Sequence, residues 1–440
     1  MGKKTNILFA ALFVISGSCY LEASGFRNFE LGARAATLGG AFVARVDDSS
    51  AVFYNPAGLA FLSGIRLKTN IYFLKLRLTA EYPGSPKPFE STPFQFRGSH
   101  FISLNIKDRI GFGIGGFTPN SMETKWPESL DPWAGHSLSI ISKLNSYYIR
   151  PVLAVKISNN LAVGVGMDFI FSDVIWLYDR ISFFHGIESA SEIDVASKSK
   201  VSGKGIGFVT GILIRISDNL QIGGRYQPKV KLDLEGLNHF NYRDYWEPPF
   251  FMNQEVTSAL TMPQEFVLGF MYSPAKNLNF QLDIQWNEMS EIKHWEFNLN
   301  PQFYEEFEDF YGFRPDYARQ GVDLNLRNTW RIMFGTEYYL SDFIAFRAGY
   351  TYQKSAADGQ MLHPVFPDLD TNILSLGIGY EGPLFSVYMR DERIGGFSFD
   401  IYYQYGFSPS CTSTLTEFPA AYKANRWIIG VGVGFNFGSL

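Results

Sequence analysis

Four arginines, Arg150, Arg225, Arg331 and Arg347, lie on the polar phase of segments in which polar and apolar residues alternate. A guanidinium there offers a two-pronged hydrogen-bonding fork to a carboxylate, either on a ligand or on Asp168, Asp283 or Glu337. Lys156 shares that phase but falls beside a turn. Catalytic groups are sparse. None of the six histidines, His100, His136, His185, His239, His294 and His363, belongs to a metal-ligand or nucleophile-activating pattern, and no Gly-x-Ser-x-Gly occurs. A lipid hydrolase would need a nucleophilic serine with such a base, so the chain does not read as an enzyme. Cys19 and Cys411 are too few for a disulfide framework or a cysteine metal site, and no cofactor or metal is expected. The run Glu305-Glu306-Phe307-Glu308-Asp309 has oxygen ligands for a divalent cation, yet reads more simply as a solvated loop.

Three other groups stand out. Trp133, Trp246 and Phe250 lead a set of aromatics in polar, proline-containing connections, where they can form an exposed apolar groove for a ligand. In Asn55-Pro56-Ala57 the proline fixes a turn and the asparagine can bond to nearby backbone. Ile110-Gly111-Phe112-Gly113-Ile114-Gly115-Gly116-Phe117-Thr118-Pro119 opens as a strand, but Gly115-Gly116 breaks the alternation and Pro119 lacks an N–H. A bulge or inward kink is expected there.

The elements that must position these residues follow from composition and periodicity. The 440 residues carry a net charge of -5, only 18% charged and 17% aromatic residues, and a mean hydropathy of -0.05. The acid balance disfavours nucleic acid as a partner. A helical membrane bundle is excluded because no apolar run of about 18 residues occurs beyond the N-terminus. A transmembrane β-barrel passes this test, since alternate residues face lipid and lumen. Lys3 and Lys4, the apolar run Ile7 to Ile15 and the small residues Ser16-Gly17-Ser18 have the layout of a secretory signal peptide, expected to end near residue 24. Cys19 leaves with it unless it is lipidated.

From about residue 64 onward the period is two. Leu278, Phe280, Leu282, Ile284 and Trp286 alternate with Asn279, Gln281, Asp283, Gln285 and Asn287; Leu161 to Phe169 and Trp427 to Phe437 repeat the pattern with small residues on one face. Fourteen such segments are expected, near residues 65–80, 94–107, 110–118, 144–157, 160–177, 204–217, 219–235, 262–273, 277–289, 327–340, 343–354, 371–381, 395–407 and 424–438. Short Asn/Asp/Ser/Pro turns alternate with long loops, which describes an all-β, 14-stranded antiparallel transmembrane barrel with both termini on the periplasmic side. Only the connection from Gly382 to Ile394 is longer than this scheme wants. Trp176, Trp286, Trp330 and Trp427 fall at the outer strand ends and Trp126, Trp133, Trp246 and Trp295 in or beside outer loops, which suggests a one-sided interfacial girdle. Residues 25–64 do not alternate, are rich in small residues, and carry a helix-starting Asp47-Asp48-Ser49-Ser50; ahead of a barrel spanning 65–440 they read as a helical hatch that plugs the lumen.

The chain resembles the FadL/TodX outer-membrane transporters of long-chain fatty acids and other hydrophobic compounds. The resemblance rests on Ser24-Gly25-Phe26, Gly32-Ala33-Arg34-Ala35-Ala36, Asp47-Asp48, Asn55-Pro56-Ala57, Met262-Pro263, Leu268-Gly269-Phe270-Met271-Tyr272, Asp283, Trp286, Ser290 and Trp330 to Tyr339. It implies an integral outer-membrane protein, a monomer in contact with lipid and lipopolysaccharide. Its ligand, a fatty acid or other hydrophobic molecule, would land among the outer loops and enter the lumen. Movement of a hatch element at Asn55, Pro56 and Ala57 would release it. Exit would be sideways at the third strand, near Gly113, Gly115, Gly116 and Pro119, with the four arginines as candidate partners for a carboxylate. Two other readings stay open: a channel for monoaromatic hydrocarbons, and an accessory of type IX secretion, whose shuttle protein the Gly32 to Asn55 stretch also resembles. The terminal Phe437-Gly438-Ser439-Leu440 departs from the aromatic ending usual in such barrels.

Overall fold

The computed structural model describes residues 30–127, 133–183, 192–242, 253–300, 319–357, 361–383, 396–415 and 418–438. Alternation closes the chain into one antiparallel cylinder. Its strands are β1 (Ile65–Glu81), β2 (Phe94–Ile106), β3 (Ile110–Lys125), β4 (Ile141–Ser158), β5 (Leu161–Phe183) and β6 (Glu192–Ser217). Each of the next four is in two pieces: β7 (Leu220–Gln227, Val230–Tyr242), β8 (Gln254–Met262, Glu265–Ala275), β9 (Leu278–Asn287, His294–Leu299) and β10 (Arg319–Asp323, Thr329–Tyr339). The circuit ends with β11 (Ile344–Gln353), β12 (Thr371–Pro383), β13 (Gly396–Phe407) and β14 (Ala421–Phe437). β14 pairs back onto β1 from Ile65↔Phe437 to Glu81↔Ala421, which closes the cylinder. The fourteen-strand expectation is met, and the strands that sequence periodicity cut short, β3 to β10, run on into the outer region. In the three-residue connection between β2 and β3, Lys107 and Asp108 take positive φ as the central pair of a turn closed by Arg109 N donating to Ile106 O at 3.2 Å. The connection after Pro383 lies outside the described residues.

The outward face is apolar where lipid meets it. On β6, Ile206, Phe208, Ile212, Ile214 and Ile216 are exposed; ten residue steps at about 3.3 Å, tilted by about 40°, cover roughly 25 Å, the height of an outer-membrane apolar band. Tyr226, Phe266, Trp286 and Trp330 are consecutive cross-strand neighbours on β7 to β10 and form a belt at the outer boundary. At the other boundary the rings of Phe343, Tyr380, Phe397 and Phe435 follow one another at 6.3, 6.4 and 5.6 Å. The expected tryptophan girdle is therefore corrected in part: Trp126, Trp133, Trp176 and Trp295 are buried, Trp176 against Tyr178 and Phe297 on the inner side of the wall. Their indoles fill the interior, and Phe and Tyr share the belts.

The hatch occupies the bore. Its elements are short: α1 (Ala33–Thr37), α2 (Ala51–Tyr54) and a 3-10 turn (Pro56–Phe61). Small wall residues make room for it. A Cβ on Gly164 would lie 2.5 Å from the Pro56 carbonyl carbon, one on Gly335 2.7 Å from Leu38 O, and one on Gly349 2.2 Å from Gly39 N. The glycines on the inward phase thus serve plug–wall contact. Above the plug the inward face changes character: Leu144, Ile170, Val174, Val201, Leu234, Val256, Leu260, Phe297 and Leu324 are buried there. The sequence reading of a small or polar inner face holds only for the periplasmic half.

Candidate functional site

Charged pairs anchor the plug to the wall. Glu337 on β10 receives Arg34 Nε at 3.1 Å and Arg347 Nε at 2.7 Å, and Arg45 Nη1 stands 2.7 Å from its other oxygen. Arg347 continues to Asp400 at 2.6 Å, which also accepts from Lys68 Nζ at 2.7 Å. Asp283 accepts the backbone N–H groups of Phe42 and Val43, each at 2.8 Å. Burying these charges is tolerable because each is paired or hydrogen-bonded.

Asn55-Pro56-Ala57 is clamped. Asn55 is fully buried; its Nδ2 donates to Val43 O and to Ile212 O on β6, both at 2.9 Å, and its Oδ1 accepts from Ala57 N at 3.1 Å. It ties two hatch segments to each other and to the wall. Gly211 is the residue that admits it, since a Cβ there would come within 2.2 Å of Asn55 Oδ1.

Directly above the plug is a narrow chamber, partly open, with a cavity volume of about 40 Å³. Phe53 of α2 is on its floor, Tyr148, Met262 and Met289 supply apolar wall, and Gln227, Gln285, Asn287 and Gln353 supply amides. Arg331 lines it and pairs with Glu30; Glu265 lines it and pairs with Arg225. Arg150 sits behind Gln227, hydrogen-bonded to it at 3.0 Å and to Asp168 at 2.9 Å. Of the four arginines, Arg150, Arg225 and Arg331 thus gather around the chamber, each with a carboxylate partner, whereas Arg347 belongs to the plug's ion network. Sequence reasoning missed Phe53, Gln227, Glu265 and Gln353, because inward phase is readable but common height in the barrel depends on register.

The third strand bends later than its glycines suggest. Gly113 and Gly115 face the hatch, where added Cβ atoms would meet Val52 at 2.6 and 3.0 Å. The register against β4 shifts between Phe117 and Asn120, at Thr118-Pro119. The β2–β3 ladder runs from Ile106↔Ile110 only to His100↔Gly116, although β2 continues back to Phe94 and β3 on to Lys125. Above Gly116 the two strands carry no backbone pairing, and Pro119 and Asn120 line the chamber at that point. Arg97 of β2 spans the interval, donating to Ser121 Oγ at 2.9 Å and Asn145 Oδ1 at 2.8 Å.

Trp133 requires a correction. It is not part of an exposed landing patch: its ring is buried, stacked on Trp126 at 4.3 Å and edge-on to Phe89 and Phe418 at 4.9 Å. Aromatic area in loops with few other apolar groups is more stable folded against itself than in water. Trp246 and Phe250 lie outside the described residues. Between β11 and β12 the chain folds inward, with Leu362 to Leu369 buried and Pro364 O accepting from Trp126 Nε1 at 3.1 Å.

A closed fourteen-strand barrel with a lipid-facing apolar band, a wall-anchored plug and an amphipathic chamber defines an outer-membrane transport barrel. The chain belongs to the family described as outer membrane protein transport protein (OMPP1/FadL/TodX), which it matches over residues 13–387. It is 22% identical over 379 residues to the long-chain fatty acid transport protein of Escherichia coli (strain K12), covering 77% of this chain and 76% of that one. Its fold superposes on the crystal structure of a Pseudomonas aeruginosa FadL homologue with a TM-score of 0.79 at 17% identity, covering 94% of this chain and all (100%) of the other. For the Pseudomonas putida toluene transporter TodX the TM-score is 0.70 at 14% identity, with 95% and 100% covered. The protein is an integral outer-membrane protein of a family of hydrophobic-compound transporters, a class whose members are transporters and channels.

Proposed function

We propose that this protein carries long-chain fatty acids passively across the outer membrane: ligand enters past the outer loops, rests in the chamber above the hatch, and leaves sideways between β2 and β3. One observation carries the reading. The interval where the β2–β3 ladder stops borders the chamber, at Pro119 and Asn120. An acyl chain there need not pass the plug, and it reaches membrane hydrocarbon without crossing water. The chamber suits an amphiphile, with Phe53, Met262 and Met289 for a tail and amides beside the Arg331 and Arg225 ion pairs for a head. Gly113, Gly115, Gly116 and Pro119 act here as hatch seats and bend, and Asn55-Pro56-Ala57 as the clamp whose release accompanies passage. Outside, the apolar band and belts would meet outer-membrane lipid and lipopolysaccharide, with one closed barrel as the working unit.

A second reading, uptake of monoaromatic hydrocarbons, is supported by the apolar outer half of the bore, which needs no head group. Equilibrium binding of radiolabelled oleate and toluene to the detergent-purified protein separates the two: saturable oleate binding with little toluene is expected. Toluene alone would overturn the fatty-acid reading, and binding of neither would favour the secretion-accessory role.

A further inference from the structure

A second cavity, of about 390 Å³ and continuous with solvent, opens on the periplasmic side of the plug. It lies between the end of the 3-10 turn and the last turns of β6 to β10. Phe61, Leu62, Leu213 and Met271 give it an apolar side, and Arg215 and Lys276 line it too. The Arg215 guanidinium carbon is 3.8 Å from the centre of the Phe61 ring, and Lys156 Nζ is 5.5 Å from the same centre.

Arg215 differs from the arginines of the upper chamber. Among the described residues its guanidinium makes no hydrogen bond and no ion pair, and its Nε is buried without an acceptor. Lying on a ring face holds a guanidinium in place and leaves its in-plane N–H groups directed outward. Lys276, in the turn between β8 and β9, has no ion pair among the described residues. The other charges in the cavity are committed: Asp47 lies 3.1 Å from Arg34 and 3.0 Å from Arg45, and Arg45 also meets Glu337 at 2.7 Å. Two cations with no ion pair among the described residues, Arg215 feeling Asp47 only from beyond ion-pair distance, therefore face a greasy wall in a space open to the periplasm.

We propose that this vestibule is a binding site for an anionic amphiphile, with its acidic head on Arg215 and Lys276 and its tail along Phe61, Leu62, Leu213 and Met271. The site does not depend on what the upper chamber carries. A carboxylate or phosphate head supplies acceptors for the terminal Nη groups of Arg215, in the bidentate geometry a guanidinium favours. A neutral amphiphile would gain only the apolar wall.

The test is photolabelling of the full-length protein in nonionic micelles with diazirine-bearing dodecanoate, its methyl ester and the corresponding alkyl phosphate, followed by peptide mapping. The acid and the phosphate are expected to label the peptides holding Phe61–Leu62 and Met271, and the ester is not. Arg215→Gln should reduce that labelling about tenfold, the loss of one charge-assisted pair, and Lys276→Gln about threefold. Arg215→Lys should retain most of it, and heat-modifiable gel mobility reports whether each variant is a folded barrel. Equal labelling by acid and ester, or unchanged labelling in folded Arg215→Gln, would overturn the site. Labelling near Met262 and Met289 belongs to the upper chamber, so its absence counts against the transport reading and leaves the vestibule intact. Vestibule labelling by the phosphate alone would assign the head to a phospholipid source, and labelling by both to acidic amphiphiles generally.

Discussion

Replacing Asn55 by alanine removes three hydrogen bonds at once: two donated by Nδ2 to Val43 O and Ile212 O, and one accepted from Ala57 N. The Asn55 side chain is fully buried, and the bonds to Val43 O and Ala57 N lie wholly inside while that to Ile212 O is part-buried, so water does not readily replace them without the plug moving. At about 1 kcal/mol per bond the loss is about 3 kcal/mol, or roughly a hundredfold in the equilibrium between seated and loosened hatch. The barrel ladder is untouched, so the effect should be confined to the plug. Hydrogen exchange read by mass spectrometry should show amides of residues 51–62 exchanging about two orders of magnitude faster, with β1 and β14 unchanged. Asn55→Asp keeps the acceptor but turns an oxygen toward two carbonyls, and should loosen the hatch at least as much. Hatch protection within threefold of wild type in Asn55→Ala would refute the clamp.

Two other consequences follow from buried charge. Asp168→Asn leaves the buried Arg150 guanidinium without its counter-charge and should lower barrel stability by about 3–5 kcal/mol, while the Arg150→Gln, Asp168→Asn pair regains most of it. Urea titration followed by heat-modifiable mobility measures both, and wild-type stability in Asp168→Asn alone would contradict the pairing. His363, in the inward-folded loop between β11 and β12, is held neutral by burial, its pKa pushed down to about 3, with Nδ1 accepting from Val365 N at 3.1 Å. The released loop takes up a proton below about pH 6.5 and the seated one does not, so seating weakens as pH falls from there toward 3, by about 2 kcal/mol at pH 5. Exchange of residues 361–370, corrected for intrinsic rate, should rise accordingly, and His363→Gln should remove the dependence.

The barrel was legible because lipid and lumen write opposite demands onto alternate residues. Leu278 to Asn287 declared its two faces, and the short turns after Ile106, Ser158 and Ser217 declared the direction of the strands. The plug was legible as a segment but not as an assembly. Its contacts join residues about 300 apart in sequence, such as Arg34 with Glu337, and only register reveals them. The glycines of β3 carried two signals in one stretch: Gly113 and Gly115 make space for Val52, while the bend belongs to Thr118-Pro119. Trp133 misled because position in a polar loop says nothing of what folds over it. Arg215 gave no signal, since a cation before a periplasmic turn looks solvated until Phe61 of the plug is placed beneath it.

Lateral passage can be tested by tying the opening shut. Gly98 of β2 and Thr118 of β3 lie two residues beyond the last ladder pair, His100↔Gly116, on the same strand phase. In a Gly98→Cys, Thr118→Cys double variant, joined by a short thiol-reversible cross-linker in the folded protein, oleate uptake by whole cells should stop and return on reduction, with chamber binding retained throughout. Undiminished uptake with the cross-link complete would contradict an exit between β2 and β3.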